Sequence, residues 1–340
     1  MYRLVRPILF ALDPERVHHL TVGFARSFLG RTLIKLWGWA SAYEHPSLGV
    51  DLWGHHFSNP VGLAAGFDKD AELVQVLPYF GFGFIEVGTI TPLPQPGNPK
   101  PRVFRLPQDH ALINRLGFNS KGAESAAKNL KGIKRLIPVA VSIGRNKETS
   151  NTGAWHDYEL GLRIFAGSCD FIVINISSPN TEGLRDLFET ESLNFLLQHL
   201  SKINSELPYS LPMFLKIPPD LPEERMDKIA AAVKAADLQA VVAVNLTTMR
   251  NNLQTSAKII EKIGPGGLSG RPMADRSTET IRYLFKKFSG TIPIIGAGGI
   301  FSAEDAYKKI KAGASLVQVY TGMIYEGPGV VNKIKKGLVE

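Results

Sequence analysis

The sequence predicts an α/β protein: a parallel (β/α)8 barrel preceded by a small N-terminal helical extension. Eight apolar runs of strand length follow residue 60, and segments with helical periodicity separate most of them. Each run also ends in glycine or polar residues. The runs cover residues 61–65, 84–87, 139–143, 171–176, 213–217, 240–246, 292–297 and 315–320. Eight β-α units over about 280 residues favour the barrel, with an open doubly wound sheet as the alternative.

Composition limits the class of protein without identifying it. The 340 residues are 44% hydrophobic and carry a net charge of +8. This length suits one large domain with a small appendage. The single cysteine, Cys169, excludes an internal disulfide framework and a cysteine-based zinc site. No apolar run reaches the ~18 residues that span a bilayer. The positive charge is compatible with nucleic acid, an anionic membrane surface or anionic substrates.

Residues 1–44 differ from the rest of the chain. Apolar residues at helical spacing precede Asp13 and Pro14, which predict the start of a second helix. That helix would carry Val17, Leu20, Phe24 and Phe28 on one stripe. Six basic residues and only two acidic ones give residues 1–40 a charge of +4. Two basic amphipathic helices predict a membrane-surface segment over 1–44, separate from a barrel domain over 45–340. The alternative is a helical hairpin packed on its own domain.

The next segments alternate between strand and helix patterns. Residues 50–57 predict a short β-hairpin that turns near Gly54. Between the later strand-like runs, helical periodicity predicts helices over residues 123–136, 191–207, 223–236, 277–288 and 303–312.

Polar side chains recur where the strand-like runs end. The fourth run is followed by Asn175, Ser177, Ser178, Pro179 and Asn180. A serine hydroxyl there could move a proton, while the asparagines offer donors and acceptors. The alternative is a polar turn that caps the next helix. Because barrel active sites lie at the carboxyl ends of the strands, recurrence of this pattern favours a site at that rim.

Two further features suggest the chemistry of that rim. Glycines at 296, 298, 299 and 322 expose backbone N–H groups where barrels often bind phosphate. Lys216 ends the fifth run and would be a Schiff-base nucleophile, a fixed cation facing an anion, or a solvated strand-end lysine. Carboxylates are scarce, with Asp68 the clearest exception. This argues against metal-assisted chemistry and a two-carboxylate hydrolase, and favours an organic cofactor.

Several motifs together resemble one enzyme family, the class 2 dihydroorotate dehydrogenases. The matching stretches cover residues 62–69, 81–89, 114–119, 175–181, 267–272 and 296–299. The resemblance extends over nearly the whole chain, including its helical N-terminus. It implies oxidation of (S)-dihydroorotate to orotate in pyrimidine (UMP) biosynthesis, through bound FMN, with a membrane quinone as the acceptor. Class 1 members have cysteine where this chain has Ser178, so the serine points to class 2.

The resemblance also implies roles for individual residues, with Ser178 as the catalytic base. The implied FMN contacts are Ala65, Lys69, Thr89, Ser142, Asn175, Lys216, Val244, Gly270, Gly299, Tyr320 and Thr321. The implied substrate contacts are Lys69, Asn114, Arg115, Leu116, Gly117, Phe118, Asn175, Asn180, Asn245 and Leu246. The implied quinone contacts are His18, Arg105 and Tyr320. Three positions depart from the usual family pattern: Ser142 replaces an asparagine, and Val244 and Leu246 each replace a threonine.

The implied partners are dihydroorotate and ubiquinone or menaquinone, with no nucleic acid and no metal. We expect a monomer attached peripherally to the cytoplasmic side of the inner membrane. One rival is a tRNA dihydrouridine synthase, which also uses FMN on a barrel but needs a cysteine acid at the rim. Cys169 precedes its strand and should face the opposite end. A sugar-phosphate isomerase or lyase, which would bind no flavin, is the other rival.

Overall fold

The computed structural model describes residues 2–340, and these begin with three helices rather than the two expected. They are α1 (Tyr2–Ala11), α2 (Pro14–Arg26) and α3 (Phe28–Ser41). Asp13 caps α2 by accepting a hydrogen bond from the Arg16 amide at 2.8 Å. Ser27 has an extended backbone and caps α3 through the Gly30 amide. Phe28 therefore begins α3, and its expected place on the stripe of α2 was wrong.

The predicted hairpin follows and closes the bottom of the barrel. Strands β1 (Val50–Leu52) and β2 (His55–Phe57) pair antiparallel. Trp53, at their turn, packs with its ring centroid 4.5 Å from that of Phe214. Its indole N–H donates to the Gln239 carbonyl at 3.0 Å. Phe57 and Phe171 complete this aromatic cluster, which fills the amino-terminal end of the barrel.

Eight parallel strands close into the predicted barrel. The remaining strands are β3 (Val61–Leu63), β4 (Phe84–Ile90), β5 (Val103–Leu106), β6 (Ala111–Asn114), β7 (Val139–Ile143), β8 (Phe171–Asn175), β9 (Met213–Ile217), β10 (Ala240–Ala243), β11 (Gly267–Gly270), β12 (Ile294–Ala297) and β13 (Leu316–Val319). The barrel order is β3-β4-β7-β8-β9-β10-β12-β13, with β13 pairing back to β3. The barrel prediction is confirmed, and all eight apolar runs are its strands.

Helices surround this barrel, as its right-handed crossovers require. They are α4 (Ala123–Leu130), α5 (Ala154–Phe165), α6 (Thr190–Glu206), α7 (Glu223–Ala235), α8 (Ala257–Ile263), α9 (Ala274–Phe288), α10 (Ala303–Lys311), α11 (Thr321–Glu326) and α12 (Val330–Val339). The five predicted helices are present. Helix α4 is shorter than expected because Lys131 is extended and Gly132 has a φ of +70°.

A second sheet was not predicted. Strands β5, β6 and β11 form a three-stranded antiparallel sheet, with β6 in the centre. Its β6 ends in Asn114 and its β11 ends in Gly270. This sheet therefore brings two distant segments of the chain together beside the barrel rim.

The N-terminal helices are tied to the barrel domain by buried contacts. Glu15 on α2 and Arg102 are 7% and 6% exposed and form an ion pair with a shortest N–O distance of 2.7 Å. Ala25 belongs to the main hydrophobic core. The Tyr2 hydroxyl donates to the Ile324 carbonyl at 2.5 Å. Within residues 2–340, no helix is both long enough and apolar enough to cross a membrane.

Candidate active site

A cavity opens at the carboxyl ends of the barrel strands, where the sequence predicted a site. It encloses about 1000 Å³, counting the space open to solvent. Most residues expected to contact a cofactor or substrate line it. They are Ala65, Lys69, Thr89, Asn114, Leu116, Gly117, Phe118, Asn175, Ser178, Asn180, Lys216, Val244, Asn245, Leu246, Gly270, Gly299, Tyr320 and Thr321. We call this space the rim cavity.

Two expected contacts lie outside the rim cavity. Ser142 is fully buried behind it, with its hydroxyl 3.0 Å from that of Thr89. Thr89 in turn accepts a hydrogen bond from the Asn175 amide at 2.7 Å. Arg115 points away and donates to the Ile263 and Pro265 carbonyls at 2.5 and 2.7 Å. Ser142 therefore reaches the rim cavity only through Thr89, and the Arg115 side chain does not reach it.

Ser178 follows β8 in a tight polar turn. Its hydroxyl accepts a hydrogen bond from the backbone N–H of Asn180 at 3.2 Å, and Ser178 is only 5% exposed. The preceding Ser177 faces elsewhere: its hydroxyl donates to Asn175 Oδ1 at 2.8 Å and accepts from Asn245 at 2.8 Å. Of the two serines, only Ser178 lines the rim cavity. It is therefore the hydroxyl of this turn that can meet a bound molecule.

Asparagine side chains from three segments converge near that serine. The side-chain amide of Asn180 donates to Asn114 Oδ1 at 3.2 Å and so joins the loop after β8 to the antiparallel sheet. Asn98 donates to the Asn180 carbonyl at 2.9 Å and supports the loop from outside. The Asn180 Oδ1 atom is buried and has no hydrogen-bond partner among residues 2–340. An unpaired buried oxygen of this kind requires a donor, which a bound molecule could supply.

Two of the sequence-based alternatives, a solvated strand-end lysine and a Schiff-base nucleophile, required a Lys216 amine without a fixed partner. The structure does not place Lys216 in this way. It is 4% exposed, and its Nζ donates to both Glu86 oxygens at 3.0 and 3.2 Å. Glu86 also accepts from Gln318 Nε2 at 2.7 Å. The Gln318 Oε1 atom is buried without a partner in the described chain. Lys216 and Gln318 line the rim cavity, whereas Glu86 lies beneath them.

Sequence reasoning missed Glu86 and Gln318. Glu86 is the single charged residue of its otherwise largely apolar strand, and Gln318 is the single polar residue of its strand; this was the only available signal. Asp68, the carboxylate that the sequence did indicate, is fully buried in its own loop. It accepts the Glu72 and Leu73 backbone amides at 2.8 Å each. Burial raises the pKa of Asp68 to about 7 despite these bonds. This residue lines a second cavity rather than the rim cavity.

That second cavity lies beneath the N-terminal helices and is mainly apolar. It encloses about 1600 Å³, counting its open mouth. His18, Arg105 and Tyr320, the three expected quinone contacts, all line it. Burial, together with the Lys69 charge, lowers the pKa of His18 to about 4. Arg105 donates to the Leu12 carbonyl at 2.8 Å and lies 4.7 Å from the Phe10 ring centroid. We call this space the N-terminal cavity.

The two cavities share a wall one residue thick. Gly66, Lys69, Leu116 and Tyr320 line both of them. Lys69 donates to Asn119 Oδ1 at 2.6 Å. Burial, aided by the nearby Arg102 charge, lowers the pKa of Lys69 to about 8. Burial also raises the pKa of Tyr320 to about 12. At neutral pH this wall therefore presents a cationic amine and a protonated phenol.

The rim cavity also contains bare backbone that fits an organic phosphate ligand. Gly270 and Gly299 have φ values of +106° and +75°. A Cβ at Gly270 would lie 2.3 Å from the His110 carbonyl oxygen, and one at Gly299 would lie 2.5 Å from Ala274 Cα. Only glycine fits either position, and both glycines line the rim cavity, so a ligand there meets backbone without a side chain. With two lysines as donors and two unpartnered amide oxygens as acceptors, the lining suits a polar planar cofactor with a phosphate tail.

The structure also places Cys169, which the nucleic-acid rival would need at the rim. Cys169 is 3% exposed and its thiol donates to the Phe165 carbonyl at 3.5 Å. It precedes β8 and does not line the rim cavity. Burial raises the pKa of the Cys169 thiol. It cannot donate a proton to a substrate at the rim.

Together, the fold and site define a barrel oxidoreductase built around an organic redox cofactor. The family model described as dihydroorotate dehydrogenase matches residues 47–340. The chain therefore belongs to the dihydroorotate dehydrogenase family, a flavin-dependent family that oxidises dihydroorotate in pyrimidine biosynthesis. The family and enzyme class implied by the sequence motifs are confirmed.

Individual relatives agree over nearly the full chain. A protein of Roseiflexus sp. (strain RS-1) named dihydroorotate dehydrogenase (quinone) is 46% identical over 99% of this chain and 93% of its own. A protein of the same name from Christiangramia forsetii is 45% identical over 100% of this chain and 99% of its own. The ligand-free DHODH of Eimeria tenella superimposes with a TM-score of 0.83 at 37% identity, covering 96% and 94% of the two chains. The complex of DHODH from Eimeria tenella with ferulenol superimposes with a TM-score of 0.81 at 38% identity, covering 90% of this chain and 89% of that one.

Proposed function

We propose that this chain oxidises (S)-dihydroorotate to orotate in the rim cavity and passes the electrons to a quinone in the N-terminal cavity. The proposed flavin is FMN, bound in the rim cavity. One observation carries the proposal: the rim cavity, which is lined by two lysines and several asparagines, shares a wall with the mainly apolar N-terminal cavity, and Gly66, Lys69, Leu116 and Tyr320 form that wall. A hydrophilic donor and a lipophilic acceptor would each find a matching environment, separated by one layer of residues.

The residues present suit FMN. Gly270 and Gly299 present backbone without a side chain to a phosphate, and Thr321 adds a hydroxyl. Gln318 offers its unpartnered oxygen to a ring N–H, while Lys216 offers a cation. Bound FMN would supply the two-electron acceptor that none of the twenty side chains provides.

The proposed roles of the protein follow from its own groups. Asn114, Asn175, Asn180 and Asn245 would hold the dihydroorotate ring and carboxylate, because their amides converge on one side of the rim cavity. Lys69 would add a cation for the carboxylate. Ser178 Oγ would take the proton from the ring carbon beside the carbonyl, while the hydride leaves the carbon that bears the carboxylate. Among the described residues, the lining of the rim cavity includes no carboxylate and no imidazole, so the proton must leave through water or another hydroxyl.

The test begins with the purified full-length protein. It should contain FMN, and anaerobic dihydroorotate should bleach its absorbance. Ser178→Ala should retain FMN but slow this reduction ~10²–10⁴-fold, the usual loss for a general base. The matched control is Ser269→Ala, which removes another rim-cavity hydroxyl, bonded to Thr321 at 2.9 Å. Near-normal reduction in Ser178→Ala, or equal slowing in both variants, would contradict the assignment of the base.

Reoxidation identifies the acceptor. The reduced enzyme would be mixed in parallel with ubiquinone, menaquinone, NAD and fumarate. We expect rapid reoxidation by a quinone, because the N-terminal cavity is mainly apolar and is lined by His18, Arg105 and Tyr320. Equal rates with NAD and a quinone would contradict the proposed use of that cavity.

We also propose that helices α1–α3 attach the protein peripherally to the inner membrane, as a monomer on the cytoplasmic side. Of the twenty large apolar side chains that are exposed in residues 2–340, ten lie in these helices and Leu12 lies between the first two. Phe28 and Trp39 are 89% and 84% exposed. Such concentrated exposure beside basic residues suits an anionic lipid surface. Size-exclusion chromatography in detergent would test the monomer.

Vesicle flotation tests the attachment. Binding to anionic vesicles should weaken with salt, because each basic residue near the surface contributes only about 1 kcal/mol and salt screens it. Phe28→Ser with Trp39→Ser should lose most of the remaining binding. Phe195→Ser, which removes a side chain that is 55% exposed on α6, is the control and should bind normally. Equal binding by the double variant and the control would exclude this surface.

A further inference from the structure

The barrel interior contains a carboxylate that the proposed reaction does not use. Glu86 lies in the middle of β4, is 0% exposed and has apolar neighbours on both sides along its strand. It accepts three hydrogen bonds, two from Lys216 and one from Gln318. These partners come from β9 and β13, neither of which pairs with β4. The cluster therefore crosses the barrel interior beneath the rim cavity.

Stability alone is a weak explanation for this cluster. Taking two charges out of water costs several kcal/mol for each, and well-packed apolar residues often replace a buried ion pair without loss. The barrel interior on the amino-terminal side of Glu86 is already apolar, with Phe84, Phe214 and Leu316 among its residues. A barrel core that is filled with apolar side chains would be at least as stable. The position of the cluster is therefore better explained by what it does to the cavity above it.

The arrangement of the charges is directional. Lys216 and Gln318 line the rim cavity, whereas Glu86 does not. A molecule in the cavity thus meets the cation first and the carboxylate behind it. Glu86 fixes the lysine Nζ with two bonds and also offsets its positive field. In this buried setting both effects are strong, because little water screens them.

We propose that Glu86 is a positioning residue for Lys216 and that its charge sets how readily the bound flavin accepts electrons. The inference rests on the proposed function, since it requires a flavin in the rim cavity. Removing the carboxylate charge would leave Lys216 uncompensated, so a flavin that gains negative charge would be stabilised more strongly. Neutral Glu86 variants should therefore raise the flavin reduction potential.

Sulfite provides a readout that is independent of turnover. It adds to oxidised flavins and leaves negative charge on the ring, so its affinity follows the same electrostatics. In full-length, FMN-loaded protein at pH 6, Glu86→Gln should tighten sulfite binding at least tenfold. For a two-electron couple, a tenfold change corresponds to about 30 mV, and the midpoint potential should rise by at least that amount. Glu86→Asp keeps the charge but withdraws it from Lys216, and should give a smaller change of the same sign.

The matched control is Glu44→Gln. Glu44 pairs at 2.9 Å with another fully buried lysine, Lys335, and neither residue lines the rim cavity. The sulfite affinity of the Glu44→Gln protein should equal that of the wild type. Unchanged or weaker sulfite binding in Glu86→Gln overturns the inference. If Glu86→Gln does not retain flavin, unchanged sulfite binding in Glu86→Asp overturns it instead.

The wild type distinguishes this failure from failure of the proposed function. If it contains FMN that dihydroorotate reduces, unchanged Glu86 variants refute only the role of Glu86. A wild-type protein that binds no flavin refutes both.

Discussion

Replacing Glu15 with glutamine tests whether the N-terminal helices are a separate unit. Glu15 on α2 and Arg102 next to the barrel are both buried, and their ion pair includes N–O distances of 2.7, 3.1 and 3.2 Å. Glu15→Gln removes the charge and leaves the guanidinium without its anion. Arg102 keeps the Pro96 and Asn98 carbonyls at 2.6 and 2.9 Å as acceptors. The variant should therefore retain the fold but lose stability.

The magnitude follows from breaking a buried pair. Removing one partner costs about 3–5 kcal/mol, and the carbonyl acceptors left to Arg102 favour the lower end, ~3 kcal/mol. For a chain of 340 residues, the unfolding entropy is roughly 0.7 kcal/mol/K, so the melting temperature should fall by about 4 °C. The matched control is Glu224→Gln, which breaks the exposed pair with Lys228. Surface pairs contribute ~0–1 kcal/mol, so its melting temperature should barely change.

The pH dependence provides a second check. Burial would raise the pKa of Glu15, but the hydrogen bonds and charge of Arg102, with Lys100, lower it from 4.5 to about 2. A depressed carboxyl pKa contributes stability above the unfolded pKa and loses it as pH falls towards the folded pKa. The difference in melting temperature between wild type and variant should thus be full at pH 7 and shrink between about pH 4.5 and 2. A Glu15→Gln protein that melts like the wild type at pH 7 would refute this reasoning and favour an independent N-terminal unit.

Two further predictions concern the rim cavity. Because the pKa of Lys69 is lowered to about 8, its positive charge is lost as pH rises through that value. The KM for dihydroorotate should therefore rise above pH 8 in the wild type but remain high and independent of pH in Lys69→Met. Parallel pH profiles of KM in the two proteins would argue against a contact between Lys69 and the substrate carboxylate. Gly299→Ala places a Cβ 2.5 Å from Ala274 Cα at a φ of +75° and should lower FMN retention after dialysis. Gly132→Ala, also at a positive φ but with nothing within 4 Å, controls for backbone strain alone, and equal FMN content in the two variants would contradict a role for Gly299 in cofactor binding.

The parts of the fold that could be predicted are those with strong periodicity. Strands of a parallel barrel are buried on both faces, so runs such as 171–175 were recognisable as uninterrupted apolar segments. The antiparallel sheet gave no such signal. Its strand β11 reads Gly-Leu-Ser-Gly, which resembles a loop, and it pairs with a segment more than 150 residues earlier. Ser27 likewise resembles any polar residue, although it ends one helix and begins another.

The site was predictable only as far as strand ends and motifs could indicate it. Lys216 and Asn175 follow from that logic, and the structure places them side by side in register on adjacent strands. The partner of Lys216 could not be found in this way. Glu86 comes from a strand that is not adjacent, and one acidic residue in an apolar run does not show which cation it meets. For Ser142, the family resemblance predicted a cofactor contact but could not show that Thr89 stands between it and the rim cavity.

If the two reactants bind as proposed, the single-residue wall between the two cavities would separate the inhibitors of this enzyme as well as its reactants. A compound shaped like the pyrimidine ring and a compound shaped like an isoprenoid tail would occupy different chambers, so neither would displace the other. Their effects on turnover would combine rather than compete. Resistance to one compound would then map to residues that line its own chamber, whereas a substitution at one of the four residues that line both chambers would alter sensitivity to both compounds. These four are Gly66, Lys69, Leu116 and Tyr320.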